Sequence, residues 1–352
     1  MNELLKKFEQ AVKYLFIPYL ALMFLLMYPI EYYVQSPGGL SEVERLVSID
    51  YQSDKKIEGT ISTTFVMGIP KPTIFQFLVG YFSPYADLSV LPPSYQTYTS
   101  SEVTQISYQD KFISVNAAII VAYLEAQKSD SNIHIAYDYR TMVFGKSSYL
   151  SHYNQIAFGD EFVQVVGDGG VVLTSTSDVG LHTTIGETYD FTFRRPNQET
   201  YTLGVLKNPE TGLFGVTFKG YYLVDKTQTF PIYHENDTTI GGPSGGLLQT
   251  LSIYNMLVET DITRGLKIAG TGTIDYQGNV GYIGGVKQKI ITAYENRVDV
   301  FFIPYLNDVS YDNYLEALNV CEAYHIDPEG WLIPVSHFTD CLDYLESLGD
   351  GE

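Results

Sequence analysis

The chain has 352 residues, of which 21 are Lys or Arg and 41 are Asp or Glu, a formal net charge of −20. That length allows two or three compact domains with real cores, and the negative field repels nucleic acid and anionic headgroups, which argues against a nucleic-acid partner. Thirty tyrosines and nineteen phenylalanines suit half-buried pleated surfaces and predict a strand-rich protein.

Lys6, Lys7 and Lys13 precede an uncharged run from Tyr14 to Ile30, closed by Glu31. Tyr14, Tyr19, Tyr28, Tyr32 and Tyr33 sit towards its ends, where amphipathic rings favour the headgroup level. Seventeen residues are at the short end of what crosses roughly 30 Å of hydrocarbon. Continuing the helix through Val34, with Glu31 at the interface, makes up the length. A removable signal peptide would need a cleavage pattern, and Ser36 is followed at once by Pro37. A core helix would show a polar face, which this run lacks. The expectation is a cytoplasmic N-terminus over 1–13, a transmembrane helix over 14–34 and an extracellular remainder, oriented by the lysines.

Residues 35–130 open on a predicted loop, Ser36 to Gly39, followed by a Thr-, Ile- and Val-rich strand from Ile57 to Met67, bounded by Gly68-Ile69-Pro70. A second loop is expected from Ser83 to Ser101, then a helix from Ser107 to Gln127 with Ile113, Ala117, Ile120, Tyr123 and Leu124 at core spacing. From 131 to 206 the pattern changes to short strands around one short helix. Its most distinctive element is Phe158 to Asp168, followed by a cap-rich stretch, Thr174 to Asp178, and a strand from Tyr189 to Arg194. This order resembles a PDZ domain, which binds an extended peptide as an added strand. No clear Gly-Leu-Gly-Phe carboxylate loop is present, so a β-rich spacer without ligand is the competing reading.

From 207 to 352 the pattern is α/β: a strand from Gly215 to Tyr222, another from Thr229 to His234, and then Asn236 to Gly246, which reads Asn-Asp-Thr-Thr-Ile-Gly-Gly-Pro-Ser-Gly-Gly. It opens an apolar helix over Ser244 to Glu259, with Leu247, Leu251, Tyr254 and Val258 at core spacing. Gly242 and Gly245 permit a tight turn and Pro243 pre-sets a helix start. A serine placed there exposes its oxygen where free N–H groups and the helix dipole can stabilise an oxyanion. An N-cap role is the competing reading of Ser244.

A strand from Ile268 to Ile274, a turn over Asp275 to Asn279, and Val280 to Ile290 entering a helix to Asn296 complete the pattern. With these segments the sequence resembles the Lon protease family, whose serine lies in Gly-Pro-Ser-Ala-Gly, whose strand reads Thr-Gly-Glu-Ile and whose lysine lies in Pro-Ile-Gly-Gly-x-Lys-x-Lys. The matching positions are Ser244, Thr271 to Ile274 and Ile283 to Lys289, and Phe301 to Pro304 resembles the family's next strand. Gly245 and Thr273 depart from the family's alanine and glutamate. Taken with the N-terminal run and the PDZ-like middle, the chain is similar to membrane-anchored, PDZ-containing Lon-like peptidases of Gram-positive bacteria.

The resemblance implies an α/β (α+β) Lon-type protease fold with an inserted PDZ-like domain, to which Ile57–Met67 also contributes. It implies a Ser244–Lys289 dyad, with Thr271 positioning the amine and main-chain N–H groups at Gly242 and Ser244 receiving the oxyanion. Helical periodicity alone does not choose between Lys287 and Lys289, about 200° apart around the axis; the resemblance selects Lys289. Relatives assemble into rings, so a homo-oligomer is a further expectation.

The remaining candidates carry less. Cys321 and Cys341 fit no zinc or redox spacing and read as buried small hydrophobes or, outside the cell, a disulfide. Six histidines lack ligand spacing, and Gly145-Lys146-Ser147 lacks the first glycine of a phosphate loop, Arg140 standing there. No cofactor is therefore expected. Without a nucleotide motif, the expected function is ATP-independent hydrolysis of extracellular peptides or unfolded proteins. The alternative is a catalytically inactive, membrane-anchored PDZ adaptor.

Overall fold

The computed structural model describes residues 2–43, 47–51, 55–236, 242–308 and 312–349, and in the first helix the side chains of residue 7 and of residues 12 onward. That helix, α1 (Asn2–Met27), ends seven residues before the expected position of Val34. Tyr32, Tyr33 and Val34 instead open a strand, β1 (Tyr32–Glu42). β-Branched and aromatic side chains favour that state when a partner strand is available, and here two are. The uncharged part of α1, Tyr14 to Met27, covers only about 21 Å at 1.5 Å per residue. Among the described residues no helix is long and apolar enough to cross a membrane.

After β2 (Val47–Ile49) and β3 (Thr60–Pro70), β1 pairs antiparallel with β3, from Tyr33 opposite Pro70 to Glu42 opposite Ser62. The Ser36–Gly39 segment expected as a loop lies inside β1, where the register shifts between Pro37 and Gly39. A proline without an N–H is tolerated at such a bulge. Next comes α2 (Ile74–Phe82), started by a Thr73–Gln76 capping box. The expected Ser83–Ser101 loop holds β4 (Asp87–Val90), paired with β1, and the one-turn helix α3 (Pro93–Thr97). Thr99 and Glu102 cap α4 (Ser100–Ala126), which is buried almost continuously from Ser114 to Tyr123.

The middle of the chain forms its own sheet from β5 (Tyr137–Lys146), β6 (Glu161–Val166), β7 (Val172–Leu173), the short helix α5 (Thr176–Val179), β8 (Thr188–Arg194), β9 (Thr200–Leu206) and β10 (Val216–Val224). The order is β10-β5-β6-β8-β9, with β7 also on β6. Tyr189, Phe191 and Phe193 alternate inward on β8 and join Phe162, Val165 and Val205 in a separate core. The boundary expected at 206 falls inside this sheet. β10, expected to belong to the following domain, pairs with β5 from Val216–Lys146 to Val224–Tyr137. Lys146, the apparent phosphate-loop lysine, is buried and donates to the Tyr153 and Ile156 carbonyls.

After β11 (Tyr233–Glu235) the chain forms α6 (Gly246–Leu257), β12 (Lys267–Gly270), β13 (Thr273–Ile274), β14 (Val280–Gly281), α7 (Val286–Glu295), β15 (Val300–Pro304), α8 (Asn313–Tyr324), β16 (Leu332–Val335) and α9 (Phe338–Ser347). A six-stranded mixed sheet has the order β16-β15-β12-β3-β1-β4. Thr60–Pro70 thus sits beside Lys267–Gly270, paired in parallel, although the whole middle sheet separates them in sequence. Along β15, Val300 and Phe302 enter the core shared with α4, α6 and α9, while Phe301 and Ile303 enter the core shared with α7 and α8. The period-two alternation of a strand thereby builds a helix–sheet–helix sandwich. Cys321 and Cys341 are both buried free thiols, Cys341 in the first of these cores and Cys321 in the second.

Phe302 is fully buried at the sheet centre. Phe302→Ala is expected to lower stability by about 3–5 kcal/mol through lost burial and an unfilled cavity. The sole tryptophan, Trp331, adjoins Phe301 at a ring separation of 6.1 Å, and its fluorescence in a urea titration would read the lowered midpoint.

Candidate active site

Two connections meet at the carboxyl end of β12. One precedes α6 and carries Ser244; the other leads into α7 and carries Lys289. Because α6 and α7 pack into different cores, these side chains approach from opposite faces of the sheet. They meet where the strand ends and a helix no longer blocks access, the general location of sites in sheets with parallel strands.

The serine segment is fixed by its main chain. The Ser244 carbonyl accepts hydrogen bonds from the Gly272 N–H at 2.8 Å and the Thr271 hydroxyl at 3.0 Å. The Leu247 N–H in turn donates to the Gly272 carbonyl at 3.1 Å. These bonds interrupt the strand expected over 268–274 and replace it with β12, a break at Thr271–Gly272, and β13. On the other side α4 supports the turn: the Ser114 hydroxyl donates to the Pro243 carbonyl at 3.1 Å, and the Gly242 N–H donates to the Ser107 carbonyl at 3.2 Å. Residues 237–241 of the glycine-rich motif lie outside the described residues.

This last bond corrects one expectation. The Gly242 N–H, expected as an oxyanion donor, is committed to Ser107. The Ser244 N–H takes no hydrogen-bond partner among the described residues and lies just before the α6 N-terminus, where the dipole is positive. Ser244 is also not the N-cap: Gly245 occupies that position, leaving the serine oxygen free for other contacts. Gly245 is buried, and a methyl group there would lie 3.0 Å from Thr63 Oγ1 and 3.3 Å from Gln249 Nε2. An alanine at this position would therefore be tight against β3 and would require Thr63 or Gln249 to shift by a few tenths of an ångström.

Lys289 is 2 % exposed. Its Nζ lies 3.0 Å from Ser244 Oγ and 2.8 Å from Thr271 Oγ1, and Thr271 is itself fully buried. Burial disfavours the ammonium form and pushes the Lys289 pKa down to about 7. Lys287, two residues earlier, has a different set of partners. Burial also disfavours its charge, but the hydrogen bond and charge of Asp87 outweigh this and hold its pKa above the ordinary value. Its Nζ pairs with Asp87 at 2.8 Å and donates to the Ala86 carbonyl, so it ties α7 to β4.

Gly285 sets the direction of α7. It has φ +71°, and a side chain there would meet Val66 Cγ1 at 2.9 Å and Gln35 Nε2 at 3.0 Å. Gly285 therefore serves both the left-handed turn and the close approach of α7 to β1 and β3. Sequence reasoning missed Ser107, Ser114 and Thr63, which carry no motif. The buried Thr63 hydroxyl has no partner among the described residues, and only its place in a half-buried strand marked it.

Among the described residues no three His, Cys, Asp or Glu side chains are grouped to hold a metal ion. A surface cavity of about 650 Å³, lined by Asp130, Tyr254, Glu259, Asp261 and Arg264, includes none of the residues around Ser244.

With this geometry in view, comparison with known proteins is specific to one part of the chain. Residues 233–327 match the Lon protease (S16) C-terminal proteolytic domain. The Lon protease of Chlamydia pneumoniae is 29% identical over 123 residues, 35% of this chain and 14% of that protein. The Lon protease of Ureaplasma parvum is 41% identical over 73 residues, covering 19% and 9%. That of Mycoplasmopsis agalactiae is 31% identical over 104 residues, covering 30% and 9%. The chain thus spans between 9% and 14% of the length of these relatives, and the residues matched to the proteolytic domain, 233–327, include Ser244, Thr271 and Lys289.

A buried amine with a pKa near 7 has a consequence for stability. Between about pH 7 and 10.4, the ordinary lysine value, the unfolded chain holds a proton that folded Lys289 has released. Stability from this group therefore rises with pH across that window, and below it the whole penalty is felt. Lys289→Met, which lacks the penalty, should gain on the wild type by on the order of 4 kcal/mol more at pH 6 than at pH 10. Urea unfolding of both proteins at the two pH values checks this.

Proposed function

We propose that the chain is a serine peptidase of Lon type, with Ser244 as nucleophile and Lys289 as its general base. The observation that carries the proposal is the desolvated amine 3.0 Å from the serine oxygen. Near pH 7 a large fraction of Lys289 is neutral, so its lone pair can accept the Ser244 proton as Oγ attacks a scissile carbonyl. The Ser244 N–H, at the positive end of α6, receives the developing oxyanion. The Lys289 ammonium then returns the proton to the leaving amine, and an ester remains on Ser244. A water, deprotonated by the same amine, attacks that ester; the acyl C–Oγ bond breaks, the Lys289 ammonium returns its proton to Ser244 Oγ, and the acid product leaves. Thr271 exchanges no proton and forms no covalent bond in this scheme; its hydroxyl holds the Lys289 amine at 2.8 Å and the serine main chain at 3.0 Å.

The remaining parts of the reading are also proposals. α1 attaches the protein to the cell membrane, with residues beyond it outside. The sheet over 137–224 is a PDZ-like peptide-docking module that adjoins α4 through Lys219–Asp110 and Tyr153–Glu102. Substrates are peptides or unfolded proteins, cleaved without ATP.

Full-length protein, Ser244→Ala and Lys289→Met should be compared on unfolded casein and with a fluorophosphonate that esterifies activated serines. Wild type is expected to cleave and to be labelled, and both variants to do neither. The wild-type kcat/KM should rise about tenfold per pH unit below pH 7 and flatten above it, as Lys289 loses its proton. Folded wild type that neither cleaves nor reacts would replace this reading with that of a peptide-binding adaptor.

Thr271→Val keeps the shape of the side chain and deletes its two hydrogen bonds. It should lower kcat/KM by about 10- to 100-fold, the equivalent of ~1.5–3 kcal/mol for a hydrogen bond to a charged group, while Thr271→Ser restores most of the rate. Steady-state kinetics on a fluorogenic peptide distinguish the two.

A further inference from the structure

We propose that α2 is a second membrane-contacting element, docked on the bilayer surface beside the point where α1 leaves it. The proposal rests on the reading of α1 as the attached segment and extends it to a surface of the folded domain.

From Pro72 to Ala86 the chain has no charged residue, although its net charge is −20. Within this stretch α2 exposes Phe75, Leu78, Val79, Tyr81 and Phe82, Phe82 to 78 %. Five large apolar side chains on one nine-residue helix form a patch that a soluble surface rarely leaves uncovered.

The occupant is indicated by what α2 is joined to. Tyr14, Leu15, Phe16 and Ile17 on α1 are all exposed. Four consecutive residues sample the whole circumference of a helix, so among the described residues no protein element covers α1 there. The end of α1 is stapled to the start of α2: Pro29 bridges Thr73, the Ile30 N–H donates to the Pro72 carbonyl at 2.9 Å, and the Ile74 N–H donates to the Tyr28 carbonyl at 3.2 Å. Tyr32 and Phe77 then pack edge to face at 4.9 Å.

If α1 enters lipid, α2 is held at the interface by these bonds. The length of α1 points the same way. Its uncharged stretch of about 21 Å is shorter than the roughly 30 Å hydrocarbon core, and such a mismatch draws flanking structure towards the membrane. An uncharged aromatic and aliphatic face suits the acyl–headgroup boundary, and it suits zwitterionic lipid in a chain whose net charge repels anionic lipid. The docked surface continues into the active domain, because Lys287 and Gln288 on α7 bond to Asp87 just beyond the patch.

The test uses full-length protein reconstituted into phosphatidylcholine vesicles, with single environment-sensitive fluorophores on Val79→Cys, Phe82→Cys, Leu20→Cys on α1, and Leu181→Cys on the middle sheet module. Nitroxide-bearing lipid serves as quencher, and the native thiols are both buried. Blue-shifted emission and lipid quenching at 79 and 82, with an aqueous signal at 181, is the expected result. Aqueous signals at 79 and 82 with a quenched label at 20 would overturn the α2 proposal and leave α1 attachment standing. Aqueous signals at 20, 79 and 82 alike would remove both. Labels at 79 and 82 that escape lipid quenching but show energy transfer between copies would assign the patch to a second copy of this chain, and the proposal would fail.

Discussion

The placement of one desolvated amine constrains much of the protease-like part of the fold. Lys289 can have a pKa near 7 only if water is kept from it, and it can be useful only if a hydroxyl lies within reach. The sandwich meets both conditions. α7 buries Val286, Ile290 and Ala293 against β15 and α8, which leaves Lys289 directed at the end of β12. From the other face α6 buries Leu247, Leu248 and Leu251, and the Ser244 carbonyl is pinned to the same strand end by Thr271 and Gly272. The hydroxyl and amine therefore meet over a point fixed by two helix layers, with Thr271 touching both.

This arrangement also explains why the strands before the middle module belong to the site. β3 stands beside β12, and its Thr63 crowds Gly245, while Val66 and Gln35 from β3 and β1 crowd Gly285. The glycines near Ser244 and Lys289 thus both pack closely against strands far away in sequence. The chain must bring Thr60–Pro70 across the whole 137–224 sheet to complete its six-stranded sheet, a non-local pairing of the kind that slows folding.

What could be read from the sequence followed from local chemistry. A Gly-Pro-Ser turn before an apolar helix, and a Gly-Gly turn before a helix bearing Lys289, each specify their geometry within a few residues, and their resemblance to a known pattern joined them. That Ile57–Met67 joins the C-terminal part of the fold was implied only by that resemblance, and its parallel pairing with β12 was not legible at all. What was misread depended on distant partners. The Gly242 N–H has a donor's position at a helix start, but a carbonyl on α4 claims it. Tyr32–Val34 continue an uncharged run and could extend a helix, but pairing with β3 and β4 makes them a strand. Val216–Val224 looks like the start of a new domain because nothing in its residues names β5 as its partner. Ser114, a small polar residue in a helical stripe, shows its purpose only once Pro243 lies against it.

The energetics of the site and of the fold point in opposite directions. A lysine held neutral at pH 7 subtracts from stability at every pH below its unfolded value, and the buried Thr63 hydroxyl, without a partner among the described residues, subtracts further. Proteins tolerate such groups where the surrounding packing over-determines the structure. Here Phe301, Phe302, Ile268, Ile290 and Leu251 are all fully buried around the end of β12, supplying apolar burial worth about 1.5–3 kcal/mol per side chain. At the strand end a polar group can still reach solvent, since Ser244 is only partly buried. A serine and a lysine drawn into hydrogen-bond contact at this position, at a net loss of stability, are more simply explained by chemistry than by folding.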